Sequence, residues 1–179
     1  REQGRRKSSF CRALMPDVLA RYYTDNLKLT SQGQAERMLA EMGLLNMDEF
    51  DKYAESKMPL LKNLMQMSVL NIRKAYQQNF RQLPRIASFI GTSNRFDLLT
   101  DPTGSRRFLC IEVKHNIDCI GIEHDQIFAQ LKAELIAGRR SWFTKSEEEE
   151  LQRHNEAFYR VSLAEEAVRS LFRAPLPAE

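Results

Sequence analysis

The sequence predicts an α/β fold: a mainly parallel central sheet flanked by helices, with a helical carboxy-terminal portion. Three observations carry the prediction. Short apolar runs at 44–47, 85–92 and 108–113 alternate with stretches whose apolar residues recur at helical spacing. Polar and charged residues collect at the ends of those runs, where parallel sheets place their ligands. In the carboxy-terminal third the apolar pattern is helical.

Each element has its own signal. Residues 10–22 carry Phe10, Leu14, Val18, Leu19 and Tyr22 at near-helical spacing, with Pro16 placed to kink or divide the run. Residues 26–30 can form a short strand. Ser31 with Gln34 fits a capping box for a helix whose apolar face is Ala35, Met38, Leu39 and Met42, and Gly43 ends it. Residues 44–47 read as a short buried strand, although Asn46 interrupts its apolar character. The spacing over 51–70 is helical, with Pro59 as a break, and 71–84 is polar and basic, as in a hairpin or an exposed loop. The 85–92 run is the clearest strand and 108–113 the second clearest. Ile127, Leu131 and Leu135 share a helix face that Gly138 stops, and Ser146 with Glu149 and Ser162 with Glu165 fit capping boxes for two more helices. The acids at 147–150 suit the positive end of a helix macrodipole and take no catalytic reading.

Composition narrows the classes of function. The 179 residues suit one domain, and 42% hydrophobic with 28% charged residues is ordinary for a globular protein. No apolar run approaches the ~18 residues that span a bilayer, and no signal-peptide pattern opens the sequence. A cytoplasmic location without a membrane partner is therefore expected. Cys11, Cys110 and Cys119 form no C-x-x-C pair and suit reduced thiols; His115, His124 and His154 lack metal-ligand spacing. The net charge is only +3, but basic residues cluster at 1–7, 73–85 and 106–107. That distribution fits a nucleic-acid partner or a solvated basic face.

Four pieces point to phosphate chemistry. In Gly4-Arg-Arg-Lys-Ser-Ser9, Lys7 and Ser8 at the head of a helix match the end of a phosphate-binding loop, where Lys reaches phosphate oxygens and Ser ligates Mg²⁺. The framing glycines are absent, since Arg1 and Arg6 stand in their places, and a basic turn is the plainer alternative. Leu44-Leu-Asn-Met-Asp-Glu49 ends an apolar strand in two acids: Asp48 to hold hydrated Mg²⁺ and Glu49 to activate the attacking water. Solvated acids at a strand end would look the same. Asn94 closes the 85–92 strand with an amide that can reach a γ-phosphate or its water, with Thr92 and Ser93 as neighbouring hydroxyls; it can also be a simple strand cap. Arg106 and Arg107 offer permanent cations for charge developing on a phosphoryl group, or surface ion pairs. The order Lys-Ser, Asp-Glu, Asn, Arg along alternating strands is far less probable by chance than any one member, and it favours a nucleotide site.

At these residues the sequence resembles the virulence-associated E family of bacterial and phage proteins. The matching stretches are Glu2-Gln-Gly-Arg-Arg-Lys-Ser-Ser-Phe10, Leu45-Asn-Met-Asp-Glu-Phe50, Phe89-Ile-Gly-Thr-Ser-Asn94 and Leu99-Thr-Asp-Pro-Thr-Gly-Ser-Arg-Arg-Phe108. The resemblance implies a three-layer P-loop NTPase fold of the AAA+ type, related to superfamily 3 helicases. It implies a core over residues 1–116, whose first strand lies upstream, and a helical extension of the same domain over 117–179. It further implies ATP and Mg²⁺ as ligands, with Gly4, Lys7, Ser8 and Ser9 on the nucleotide and Ser8 and Asp48 on the metal. Glu49, Asn94, and Arg106 or Arg107 (a finger acting across a subunit boundary) would be catalytic. DNA would be contacted by Arg73, Lys74 and Arg81 in the 71–84 segment, unless that segment is an ordinary basic connection, and a ring homo-oligomer would supply the finger. The implied activity is Mg²⁺-dependent ATP hydrolysis coupled to DNA unwinding or replication of a mobile or phage-like element. Arg6 departs from the family pattern, in which a glycine usually precedes the Lys. A degenerate module that binds nucleotide, DNA or protein without turnover, and a basic nucleic-acid-binding domain, are the competing readings.

Overall fold

The architecture is that of a computed structural model, which describes residues 4–29, 31–53, 55–73, 79–100, 105–161 and 163–172. Pro16 divides the first helical run. Helix α1 (Lys7–Ala13) stops ahead of it, and a 3-10 turn over Asp17–Tyr22 follows. The ring fixes φ and removes a donor, so the α-helix cannot continue through it. Strand β1 (Tyr23–Thr24) comes next, displaced from the expected strand at 26–30. Leu27 and Leu29 instead bury in the core without sheet pairing, while Tyr23 and Thr24 take the backbone positions beside the next strand. Thr30 lies outside the described residues.

Helix α2 (Gln32–Glu41) begins where expected, but the Ser31 hydroxyl makes no capping bond. Strand β2 (Leu44–Met47) follows, with β1 on one side and β5 (Ser88–Gly91) on the other, both parallel to it. The helical spacing over 51–70 resolves into short 3-10 turns at Phe50–Lys52 and Glu55–Lys57 and helix α3 (Met58–Gln66). Pro59 sits in the first turn of α3, where no amide hydrogen is needed, so it opens the helix rather than breaking it. The polar stretch at 71–84 contributes to an antiparallel ribbon of β3 (Val69–Arg73) and β4 (Phe80–Pro84).

The main core lies on one face of the three-stranded sheet. Leu45 and Met47 of β2 point into it beside Leu39 of α2, Leu61 and Leu64 of α3, Leu70 of β3 and Ala87. Five of these leucines are completely buried, and each such side chain contributes roughly 2–3 kcal/mol. Period-2 alternation sends Asn46 and Asp48 to the opposite face, toward α1. Asn46 is fully buried there, and its Nδ2 donates to the Tyr23 hydroxyl at 3.0 Å. One face of β2 therefore holds the fold together and the other presents polar groups.

The expected strand at 108–113 makes no sheet pairing among the described residues. Side chains of helix α5 (Lys145–Asn155) take the place of a ladder. Asn155 Oδ1 accepts the Cys110 amide at 3.3 Å, Asn155 Nδ2 donates to the Phe108 carbonyl at 2.7 Å, and His154 Nε2–H donates to the Cys110 carbonyl at 2.7 Å. Leu99, Cys110 and Phe158 form a second, smaller core beside this seam. Helix α4 (His124–Ile136) ends at Gly138, whose φ of 74° a Cβ would disfavour.

The capping box of α5 is built by Thr144 and Glu147, not by Ser146 and Glu149. The helix starts two residues earlier than expected, at Lys145, so Ser146 is already inside it. Glu147 accepts the Thr144 amide at 2.7 Å and pairs with Arg140 at 2.6 Å, which hold its carboxyl at about 2. A depressed carboxyl stabilises the fold above its unfolded value and loses that contribution as pH falls through about 2. Arg140→Ala, which removes the ion pair, is expected to move the Glu147 titration, followed by carbon-13 NMR, upward from about 2. A titration left near 2 in that variant would show that the Thr144 amide holds the carboxyl without help from the ion pair. The last helix is α6 (Leu163–Leu171); its expected cap, Ser162, lies outside the described residues. Among the described residues no helix is long and apolar enough to cross a membrane.

Candidate functional site

The polar face of the sheet and the start of α1 meet at the carboxyl ends of β2 and β5. The hydrogen-bond ladder continues past both strands: the Thr92 amide donates to the Met47 carbonyl at 3.1 Å, and the Phe50 amide donates to the Thr92 carbonyl at 2.7 Å. That continuation sets Thr92 against Asp48 and Glu49. Thr92 Oγ1 donates to Asp48 Oδ1 at 2.5 Å and accepts the Glu49 amide at 3.3 Å.

Helix α1 delivers its residues to the same place. Ser8 Oγ donates to Asp48 Oδ1 at 2.6 Å, and Lys7 Nζ donates to Asn94 Oδ1 at 2.9 Å. Lys7, Ser8, Asp48 and Asn94, drawn from three separated stretches of sequence, thus form one cluster. The Ser8 and Thr92 hydroxyls, in that order, hold the Asp48 carboxyl below the usual carboxylate range. Asp48 is an anion at neutral pH. Behind the cluster, burial and then the Asp48 charge push the Cys11 thiol up to about 11, so it stays protonated.

The turn into α1 has a specific backbone. Gly4 has φ 94° and Arg6 has φ 59°, both in the left-handed region. Arg6 holds a conformation that glycine adopts without penalty and other residues adopt at a cost of ~1–2 kcal/mol. Later chain segments brace this turn and α1. Arg5 Nη1–H donates to the Val113 carbonyl, the Ile117 amide donates to the Arg5 carbonyl at 3.3 Å, and His124 Nε2–H donates to the Ala13 carbonyl at 2.7 Å. Ser9 lies on the exposed side of α1.

Glu49 is also in the left-handed region, at φ 52°. Its Oε2 pairs with Lys52 Nζ at 2.5 Å, and Ser93 Oγ donates to Asp51 Oδ1 at 2.6 Å beside it. For a divalent cation, the donor set is a hydroxyl and a carboxylate, Ser8 and Asp48. Among the described residues no group of three or more His, Cys, Asp or Glu side chains could hold a metal. Two hard oxygen donors fit Mg²⁺, which keeps several waters and shares its shell with phosphate.

The sequence profile of the virulence-associated protein E-like domain matches residues 1–160. The chain belongs to this family. Comparison with curated proteins returned no match.

In this virulence-associated protein E-like domain the candidate arginines sit on two further elements, a turn over 105–107 and the β3–β4 ribbon. Ser105–Arg107 forms a short 3-10 turn against α5, tied there by Asn155 Nδ2, which donates to the Ser105 carbonyl at 3.3 Å. Arg106 pairs with Glu148 of α5 at 3.7 Å rather than with a member of the cluster. Arg73 and Arg81 both sit on the β3–β4 ribbon. Its register pairs Arg73 with Phe80 and Ile72 with Arg81, so the two arginines lie on opposite faces. Lys74 and the Asp101-Pro-Thr-Gly104 stretch are outside the described residues.

Two structural contributors escaped the sequence reading. Asn155, fully buried, staples the segment carrying Arg106 and Arg107 to α5, and nothing in its sequence context distinguishes it from a surface residue of a polar helix. Lys52 follows Glu49 at a spacing that a tight turn converts into a contact, and that was the available signal.

Proposed function

We propose that this virulence-associated protein E-like domain is a Mg²⁺-dependent nucleoside triphosphatase with a P-loop NTPase core of the AAA+ type, acting on ATP and coupled to work on DNA. The observation that carries the reading is the convergence of Lys7 and Ser8 with Asp48 and Asn94 at the carboxyl ends of two parallel strands. A cation, a hydroxyl, a carboxylate and an amide at one strand edge are the groups that a triphosphate and its metal need.

Lys7 binds the terminal phosphates as a point charge, trading its bond to Asn94 for phosphate oxygens. Asn94 is then released to orient the γ-phosphate or the attacking water. Ser8 and Asp48 would hold Mg²⁺, which neutralises phosphate charge when bound. Glu49 orients the water and takes its proton. The water oxygen bonds to the γ-phosphorus as the bond to the bridging oxygen breaks, giving ADP and phosphate. Arg106 or Arg107 would serve as a finger toward a neighbouring subunit of a ring, where such a group is worth ~10³ or more in rate. On the ribbon, Arg73 beside Phe80 offers a charge and an aromatic face to DNA.

Lys7→Ala is the direct test. Steady-state hydrolysis should fall ~10²-fold or more, with nucleotide affinity weakened alongside. Turnover unchanged by this substitution would refute the assignment. A second reading, binding without turnover, is favoured by Arg6 in the loop that would cradle phosphate. Nucleotide binding without measurable hydrolysis would support it.

A further inference from the structure

We propose that Lys52 acts as a latch on Glu49, holding back the carboxylate that activates water; the inference rests on the hydrolytic reading above. Three of the polar groups at the strand tips contact one another or the start of α1: Asp48 with Ser8 and Thr92, and Asn94 with Lys7. Glu49 is different. Its side chain turns to Lys52, a residue with no role on nucleotide or metal, at 2.5 Å.

The geometry is built into the chain. The left-handed backbone of Glu49 opens the 3-10 turn Phe50–Lys52, and the Lys52 amide donates to the Glu49 carbonyl at 2.8 Å. That turn returns the Lys52 side chain over the carboxylate three residues before it. An ammonium donating to Oε2 ties up one carboxylate oxygen, turns the group toward Lys52 and makes it a weaker acceptor for the proton of water. For the reaction to proceed, Glu49 exchanges that partner for the water.

The strength of the latch follows from its exposure. The two side chains are 68% and 48% exposed, so solvent and salt screen the pair, and such pairs are weak. A weak pair makes a reversible restraint, and its removal is expected to raise the rate ~2- to 5-fold. Anything that attracts the ammonium away, such as an incoming phosphate chain or an acidic group on a neighbouring subunit, would release Glu49 in the same way.

The test is a single-turnover measurement of ATP hydrolysis with Mg²⁺ on the full chain, comparing the unaltered protein with Lys52→Gln, Lys52→Arg, Glu49→Gln and the Lys52→Gln/Glu49→Gln double variant. Nucleotide Kd is measured for each. Lys52→Gln should raise the rate ~2- to 5-fold at unchanged Kd, and Lys52→Arg, which keeps the cation, should stay near the unaltered rate. In the Glu49→Gln background the Lys52 substitution should have no effect. A Lys52→Gln rate equal to or below the unaltered one, with hydrolysis still dependent on Glu49, overturns the latch alone. Hydrolysis insensitive to Glu49→Gln overturns the functional reading, and the latch with it.

Discussion

Glu49→Gln is expected to lower ATP turnover by ~10²–10⁴-fold while leaving nucleotide affinity close to that of the unaltered protein. The substitution is nearly isosteric and removes only the charge and the proton acceptor. The backbone that positions residue 49 does not depend on the side chain: its amide is held by Thr92, and the Phe50 amide by the Thr92 carbonyl. The fold and the Asp48 contacts should therefore persist, and the loss should fall on the chemical step. Steady-state hydrolysis together with equilibrium binding separates the two. Turnover within twofold of the unaltered protein would mean that Glu49 is not the base, and an equal loss of affinity would point to a binding role instead.

Leu45→Ala should destabilise the domain by ~3–5 kcal/mol, read from chemical denaturation. Leu45 is completely buried in the middle strand, with β1 and β5 on either side and the leucines of α2 and α3 over it. Packed neighbours on both flanks and above limit how far the site can collapse, so a cavity is expected to remain. In thermal unfolding the midpoint should drop by roughly 10 °C, since each kcal/mol moves a domain of this size by about 2–4 °C. Because Asp48 and Glu49 end this same strand, nucleotide affinity should weaken as the strand loosens. A loss below about 1 kcal/mol would show that β2 is not the centre of the core.

Much of this architecture is legible from residues alone, for identifiable reasons. The β2 strand is written in Leu44, Leu45 and Met47, and the β5 strand in the 85–92 run, because short apolar runs bounded by polar residues suit strands paired in a parallel sheet. Asn46 did not prevent the strand: its Nδ2 donates to the Tyr23 hydroxyl, although its buried Oδ1 accepts no hydrogen bond among the described residues. The cluster of Lys7, Ser8, Asp48 and Asn94 was predictable because parallel strands end on the same side, which collects residues far apart in the chain.

Other features depend on tertiary partners. Residues 108–113 have the composition of a strand, yet Asn155 and His154 satisfy their backbone groups from a helix. No local pattern announces that. At Leu27 and Leu29 the core claims the side chains while the sheet pairs the residues before them, so apolar alternation misplaced the strand. Spacing alone does not distinguish Thr144 with Glu147 from Ser146 with Glu149, because both satisfy the same offset. The placement of the Arg106–Arg107 turn likewise comes from α5, where Asn155 ties it down and Arg106 pairs with Glu148.

The central claim is that the Lys7–Asn94 and Ser8–Asp48 contacts mark one triphosphate site. A crystal structure of the full chain with a non-hydrolysable ATP analogue and Mg²⁺ tests it most directly. The account predicts phosphate oxygens against Lys7 and Asn94, with the metal against Ser8 and Asp48. An analogue bound elsewhere on the domain, leaving those two contacts intact, would contradict it.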